Sequence, residues 1–313
     1  MESIEEINCS RIREFIILGF HTKTESEYLL FILLSCLYIL TISSNTVIII
    51  LVRTDLHLHS PMYFYISNLS FLEISYISST VPKVMVSLIT GFKSISFIGC
   101  ISQLYFFSCL GATENVLLTV MAYDRYLAIC NPLKYAILMN PRMCIQLAFV
   151  SWFIGFSTVA VPIVSIAKSC FCGPNIVDHF FCEAAPLLQL SCTDVSTPKF
   201  LLSLSASTLT LGSIFLNMVS YSFIIHTVLK TPTTTGRRKA FSTCVSHLTV
   251  VVFFYTSVCL MYVNPSGTNT SRNKVVSVIY GIITPLLNPF VYSLRNKDMK
   301  TAFIKMLKRL SYA

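Results

Sequence analysis

Two carboxylates, Glu73 and Glu114, stand inside long runs of otherwise uncharged residues. An ionised acid in such a run is costly unless it is paired or protonated. Their oxygens suit a hard cation. A protonated carboxyl hydrogen-bonded among packed helices is the alternative, and the residue types leave both open. Asp124-Arg125-Tyr126 sets an acid beside an arginine where an apolar run ends, so the guanidinium can reach toward polar surroundings while Asp124 offers a local ion pair. Asn288-Pro289, followed by Tyr292, puts a helix breaker inside another apolar run, because proline lacks a backbone donor and kinks the chain. Such a kink can serve as a hinge. His226 and His247 invite a metal reading, but neither has Cys or Asp partners at ligand spacing, and hydrogen bonding near helix ends is the better use. With no phosphate-cradling glycine loop, no nucleophile with a placed base and no metal quartet, an enzyme is not expected.

Composition says what must hold these groups. Of 313 residues, 54% are hydrophobic and only 12% charged, whereas soluble domains carry about 25% charged residues. Crossing a hydrocarbon core of about 30 Å takes roughly 20 mostly apolar residues, and seven stretches qualify: 28–52, 61–81, 98–122, 144–167, 200–229, 240–263 and 275–294. The fold expected is an all-α membrane protein, a seven-helix transmembrane bundle over 28–294. An outer tail occupies 1–27 and a cytoplasmic tail 295–313. Residues 1–27 show no basic-plus-apolar signal peptide, so the first span is expected to act as its own insertion signal.

The formal charge of +9 sorts by segment. With the N-terminus outside, fourteen Lys and Arg fall in cytoplasmic segments against Asp55, Asp124 and Asp298. The outer segments are neutral, and Glu73 and Glu114 stay in the membrane. That asymmetry follows the positive-inside rule and orients the chain N-terminus out, C-terminus in, so the basic balance needs no nucleic acid. Cysteines agree, since Cys9, Cys100, Cys170, Cys172, Cys182 and Cys192 fall on the outer, oxidising side. Cys170 has no obvious partner, and four cysteines already allow three connectivities. Asn8-Cys9-Ser10 and Asn269-Thr270-Ser271 are outer glycosylation sequons. After Arg295, Met299, Phe303, Met306, Leu307 and Leu310 recur at helical spacing among lysines, as in a short amphipathic helix on the inner leaflet.

Longer strings go beyond topology. MAYDRYLAIC (121–130) with NPLKY (131–135), HSPMYFYISNLSFLE (59–73), KAFSTCVSHL (239–248) and TPLLNPFVYSLRN (284–296) together resemble the vertebrate olfactory receptor family of rhodopsin-like G-protein-coupled receptors. The long second outer loop and PMYF look more like its tetrapod-type class. Departures are Ser44, where the family usually has Gly before the first-span Asn, and Lys134 in PLKY where PLHY is usual.

The resemblance implies several roles. Asp124, Arg125, Tyr126, Tyr221, Asn288, Pro289 and Tyr292 would form the G-protein switch, Arg125 leaving its resting partner to meet Tyr221. Glu73 and Glu114, helped by Asn45 and Asn288, would form a sodium pocket. Disulfides would join Cys100 to Cys182 and Cys172 to Cys192. The ligand pocket would be lined by Phe107, Ser108, Gly111, Ala112, Ser205, Ala206, Leu209, Tyr255, Val258, Cys259, Tyr262 and Gly281. So apolar a lining suits a small, volatile, weakly polar odorant, and Phe107 stands where amine-binding relatives carry an acid. Implied partners are an odorant, a heterotrimeric G protein raising cyclic AMP, the bilayer and trafficking chaperones, at the plasma membrane of sensory cilia. No cofactor beyond that sodium is expected. The rival readings are a non-olfactory receptor of this superfamily for a lipid or peptide, which the family-specific strings disfavour, and an ion transporter or channel, for which no internal repeat or opposed broken-helix pair is found.

Overall fold

Prolines and polar caps set where the helices of this computed structural model begin. It describes residues 12–20, 24–172, 174–231, 234–262, 270–294 and 296–311, without the side chains at 24–25, 234–243, 261–262, 270–273, 293–294, 297 and 310–311. In chain order the elements are β1 (Glu14–Ile17), α1 (Thr24–Thr54), α2 (Pro61–Thr90), β2 (Ser94–Ser96), α3 (Phe97–Cys130), α4 (Pro132–Leu138), α5 (Pro141–Ala167), β3 (Ile176–Val177), α6 (Ala184–Gln189), α7 (Ser196–Lys230), α8 (Thr234–Tyr262), α9 (Thr270–Val278), a π-helical turn (Ile279–Ile283), α10 (Thr284–Leu294) and α11 (Lys297–Ser311). Pro61, Pro132 and Pro141 sit in first turns, where the missing donor would be unpaired anyway. Ser96 and Asn140 accept from the N–H of Gly99 and Met143, and α2 stops at Gly91, whose φ of 67° suits glycine.

The seven spans are α1, α2, α3, α5, α7, α8 and the unit from α9 to α10. Five are long and apolar enough to cross a membrane by length and composition alone; the apolar part of α8 is the shorter segment Cys244–Leu260. In α2, Ser, Tyr and Glu73 dilute the hydropathy, yet its 30 residues bury Tyr65, Ile66, Leu69, Leu72 and Ile77 in the bundle. Outward faces expose Leu29, Phe149, Phe153, Phe200 and Phe215 by more than half, a lipid-facing surface rather than an aqueous one. α3 continues to Cys130, past the end at 122 expected from hydropathy, so Asp124, Arg125 and Tyr126 ride on an unbroken helix. The seventh span is interrupted by the π turn just before Pro285, and π turns inside helices cluster at functional sites.

The outer end holds a sheet that hydropathy did not reveal. Its order is β2-β1-β3, with Phe15 opposite Ile95 in the antiparallel pair and Ile16 opposite Ile176 in the parallel one. Phe15 is fully buried, edge-on to Phe171, so part of what reads as a tail is a strand packed on the bundle. At the inner end α11 buries Met299 and Ala302, exposes Phe303, Ile304 and Leu307 as a membrane-facing side, and sets Lys305 3.6 Å from Asp55.

Candidate functional site

Helices α3, α5, α7, α8 and the seventh span enclose a cavity of about 160 Å³. Phe107, Ser108, Gly111, Ala112, Ser205, Ala206, Leu209 and Val258 line it, with Tyr76, Glu114, Asn115, Val159, Leu202, Thr210, Phe254, Ser257, Tyr280 and Thr284. The Phe107 ring lies 4.6 Å from both Tyr76 and Phe181 of the outer loop, and 5.5 Å from Tyr280. Three residues expected in the lining sit elsewhere. Tyr255 points into the bundle, donating to Asn115 Oδ1 at 3.0 Å and accepting from Asn217 Nδ2 at 3.3 Å. Cys259 opens onto a groove between α7 and α8, and Gly281 lies behind Phe107. The side chain of Tyr262 lies outside the described residues, as do Asn8 and Asn269.

Below the cavity the intramembrane acids meet. Asn288 Nδ2 donates to Glu73 Oε1, and Asn45 Nδ2 donates to the carbonyls of Thr41 and Pro285 at 3.0 and 3.3 Å, tying α1 to α10. Glu73 Oε2, Glu114 Oε1 and Asn45 Oδ1 are buried without a hydrogen-bond partner. Orphaned buried acceptors on acids and an amide fit a hard cation, which supplies what no donor does. A second polar group, absent from sequence reasoning, crosses α3, α7 and α8: Asn115 Nδ2 donates to Thr210 Oγ1 at 3.4 Å and Asn217 Nδ2 to Thr119 Oγ1 at 3.1 Å, with Tyr255 between them. Amides inside apolar runs were the available signal.

At the cytoplasmic end Arg125 lies 3.1 Å from Asp124, which accepts from the Tyr135 hydroxyl at 2.8 Å. Tyr135 comes from α4, an element whose role sequence reasoning missed. Tyr126 packs against Phe223. Tyr221 and His247 share a hydrogen bond of 2.6 Å, so Tyr221 is engaged away from Arg125, and His226 is exposed. Tyr292 is 2% exposed and its hydroxyl has no partner. Among the described residues no group of three or more His, Cys, Asp or Glu could hold a metal ion.

The outer loop forms a lid. Disulfides join Cys100 to Cys182 and Cys172 to Cys192, and Cys170 is itself disulfide-bonded. Glu183, three residues beyond Phe180, accepts from Tyr280 at 3.3 Å and Ser277 at 3.4 Å, and His179 Nε2 lies 3.1 Å from it. Burial pushes the Glu183 carboxyl up from 4.5 to about 7, while burial and the nearby Lys274 ammonium push His179 down from 6.5 to about 3. The folded lid keeps a proton on Glu183 that the unfolded chain releases, so this group lowers stability as pH rises from 4.5 to 7. His179 acts oppositely, losing stability as pH falls from 6.5 toward 3. The two offset in the middle and Glu183 alone remains above pH 6.5. Thermal melting of the purified protein is therefore expected to drop between pH 6.5 and 7.5, and Glu183→Gln to flatten that drop; an unchanged slope in the variant would place the titration elsewhere.

The chain matches the family model described as "Olfactory receptor" over residues 34–309. It is 47% identical to human olfactory receptor 11L1, over 98% of this chain and 95% of that one. Identity is 46% to human olfactory receptor 6A2, covering 93% and 91%, and 45% to mouse olfactory receptor 6B9, covering 96% and 95%.

Proposed function

Because the chain belongs to the olfactory receptor family of rhodopsin-like G-protein-coupled receptors, we propose that it binds a small, volatile, weakly polar odorant in the cavity beside Phe107 and activates a stimulatory, olfactory-type G protein, raising cyclic AMP. As a member it is an odorant-sensing, multi-pass receptor of the plasma membrane and not an enzyme. The observation that carries the finer reading is the cavity. At about 160 Å³ it is smaller than the roughly 300 Å³ or more of sites for drug-sized ligands, and its wall is mostly apolar with a few hydroxyls. Residence in sensory cilia, reached with trafficking chaperones, belongs to the same proposal. A cyclic-AMP assay of cells displaying the receptor, run against a panel of volatiles, is expected to give a saturable response to at least one; silence across a broad panel at verified surface display would sink the reading.

The acid cluster adds a second element. Glu73, Glu114, Asn45 and Asn288 would hold a sodium ion, whose positive charge would meet the three orphaned acceptors and keep the bundle in its resting packing. Glu73→Asn is expected to abolish sodium dependence in the thermal melting of the purified receptor, whereas the native protein should melt several degrees higher in sodium than in N-methylglucamine. Equal melting of the native protein in both media would rule the ion out.

A further inference from the structure

A groove of about 590 Å³ runs down the outer half of the bundle between α2, α3 and α5 and opens toward lipid. Its wall is aromatic. Phe71 lies 5.9 Å from Trp152, Trp152 6.0 Å from Phe156 and Phe156 6.5 Å from Phe106, and Phe71 and Phe106 are each about half exposed. Its outer end is cationic. Lys83 lines it two residues past the apolar stretch 61–81, and its ammonium donates to the carbonyls of Ser94 at 2.6 Å and Phe92 at 3.5 Å. An ammonium has three hydrogens, so one is left over. Glu14 accepts from the Ser94 hydroxyl at 2.5 Å but makes no ion pair with Lys83, and among the described residues no acid lines the groove. Two neighbours add to the positive end. The Ser102 hydroxyl is uncommitted among the described residues, and Gly99 belongs to the first turn of α3, where the helix dipole is positive.

The geometry points to a binding site for one long-chain carboxylate of the outer leaflet, a free fatty acid whose head group meets Lys83 and Ser102 while its chain lies over Phe106, Phe156, Trp152 and Phe71. A half-buried ammonium held only by carbonyls lacks a countercharge, and a carboxylate supplies it together with the acceptor for its remaining hydrogen. Depth agrees with this orientation. Lys83 and Phe71 are twelve residues apart on α2, about 18 Å along a helix rising 1.5 Å per residue. A head at the outer interface therefore leaves the tail pointing toward the middle of the bilayer, as it does in the free leaflet. A phospholipid suits the groove less well. The volume lies within the roughly 300–1,000 Å³ of sites for single small molecules, one lysine answers one charge, and anionic phospholipids belong mainly to the cytoplasmic leaflet.

Trp152 is the one tryptophan in the chain, so its fluorescence reads the groove directly. The test places the purified full-length protein in phosphatidylcholine nanodiscs, in alkaline buffer that keeps a fatty acid ionised. Three quenchers are titrated in: stearate dibrominated at mid-chain, its methyl ester, and a phosphatidylcholine carrying the same brominated chain. The acid is expected to half-quench Trp152 at a mole fraction about fivefold or more below that of either other probe, the order of one charge-assisted hydrogen bond. Unbrominated stearate should then restore the fluorescence, and unbrominated methyl stearate at the same mole fraction should not. Lys83→Gln should bring the acid to the level of its ester, and Lys83→Arg should keep the preference. The competition needs no variant, so it decides the matter even where Lys83→Gln fails to fold. Equal quenching by all three probes, strongest quenching by the phosphatidylcholine, restoration by methyl stearate as full as by stearate, or an acid preference that survives in folded Lys83→Gln would overturn the site.

Discussion

Arg125→Ala is expected to abolish the ligand-evoked rise in cyclic AMP when the response is normalised to the receptor that reaches the surface. The geometry gives the reason. Arg125 lies 3.1 Å from Asp124, and Asp124 is fixed by the Tyr135 hydroxyl of α4 at 2.8 Å. Tyr221, the side chain expected to meet Arg125 in the signalling state, is bound instead to His247 at 2.6 Å. Each partner of the productive contact thus has another partner, which defines a resting arrangement. On the proposed switch, signalling would require the two pairs to exchange, and without the guanidinium Tyr221 would have nothing to exchange toward. Truncation also strands Asp124, 1% exposed, and removing one member of a buried pair costs roughly 3 kcal/mol or more. Arg125→Lys keeps the charge and separates the two effects: it should retain surface display and lose most of the response, because an ammonium does not reproduce the planar guanidinium. Asp124→Asn, which loosens the resting pair without removing the arginine, is expected to raise activity in the absence of ligand. A full-sized response in Arg125→Ala, normalised to surface staining, would place the switch elsewhere.

How far this arrangement was legible in the sequence depends on the kind of information each feature needs. Spans and orientation follow from local sums of apolar and basic residues, so they survive small errors of register. The acids Glu73 and Glu114 were legible for the same reason, since a charge inside an apolar run stands out whatever its azimuth. Cavity membership is different. Each residue turns a helix by about 100°, so Val258 lines the cavity while Cys259, its neighbour, opens onto the groove between α7 and α8. Tyr255 was read as a ligand contact because the family resemblance puts it in the lining; in the fold its hydroxyl is held by Asn115 and Asn217, two amides with no visible relation in sequence. The outer sheet was hidden because Glu14–Ile17 is too short to show alternation and its partners Ser94–Ser96 and Ile176–Val177 are far along the chain. Glu183 and Tyr280 are likewise 97 residues apart and meet only through the lid.

Gly155→Ala is expected to remove most of the surface-displayed receptor, the largest folding effect of any single methyl group in the described part of the chain. Gly155 lies in α5 where that helix crosses α3, and Ser151 and Val159, one turn to either side, are buried with it. Small residues at this spacing let helices approach closely, and in a membrane close packing has to do what hydrophobic exclusion does in water. A Cβ on Gly155 would fall 2.0 Å from Thr113 Oγ1, 2.7 Å from its backbone nitrogen and 2.8 Å from its Cα. The hydroxyl could rotate away, giving up its bond to the Cys109 carbonyl at 2.7 Å, but the nitrogen and Cα belong to a buried helix and cannot. The two helices must therefore separate, and overpacking of this kind costs about 1–3 kcal/mol even where neighbours can yield. That is a large share of the 5–15 kcal/mol typical of a folded domain. Two comparisons isolate the cause. Thr113→Ala removes the closest atom but leaves both backbone contacts, so combining it with Gly155→Ala should restore only a minor part of the loss. Gly212→Ala, in the middle of α7 with no heavy atom within 4 Å of the added Cβ, should be neutral or slightly stabilising, since alanine favours the helix by up to about 1 kcal/mol. Surface staining and melting of the purified receptor read all three, and a Gly155→Ala receptor that displays and melts like the native one would mean that α3 and α5 do not approach this closely in the membrane.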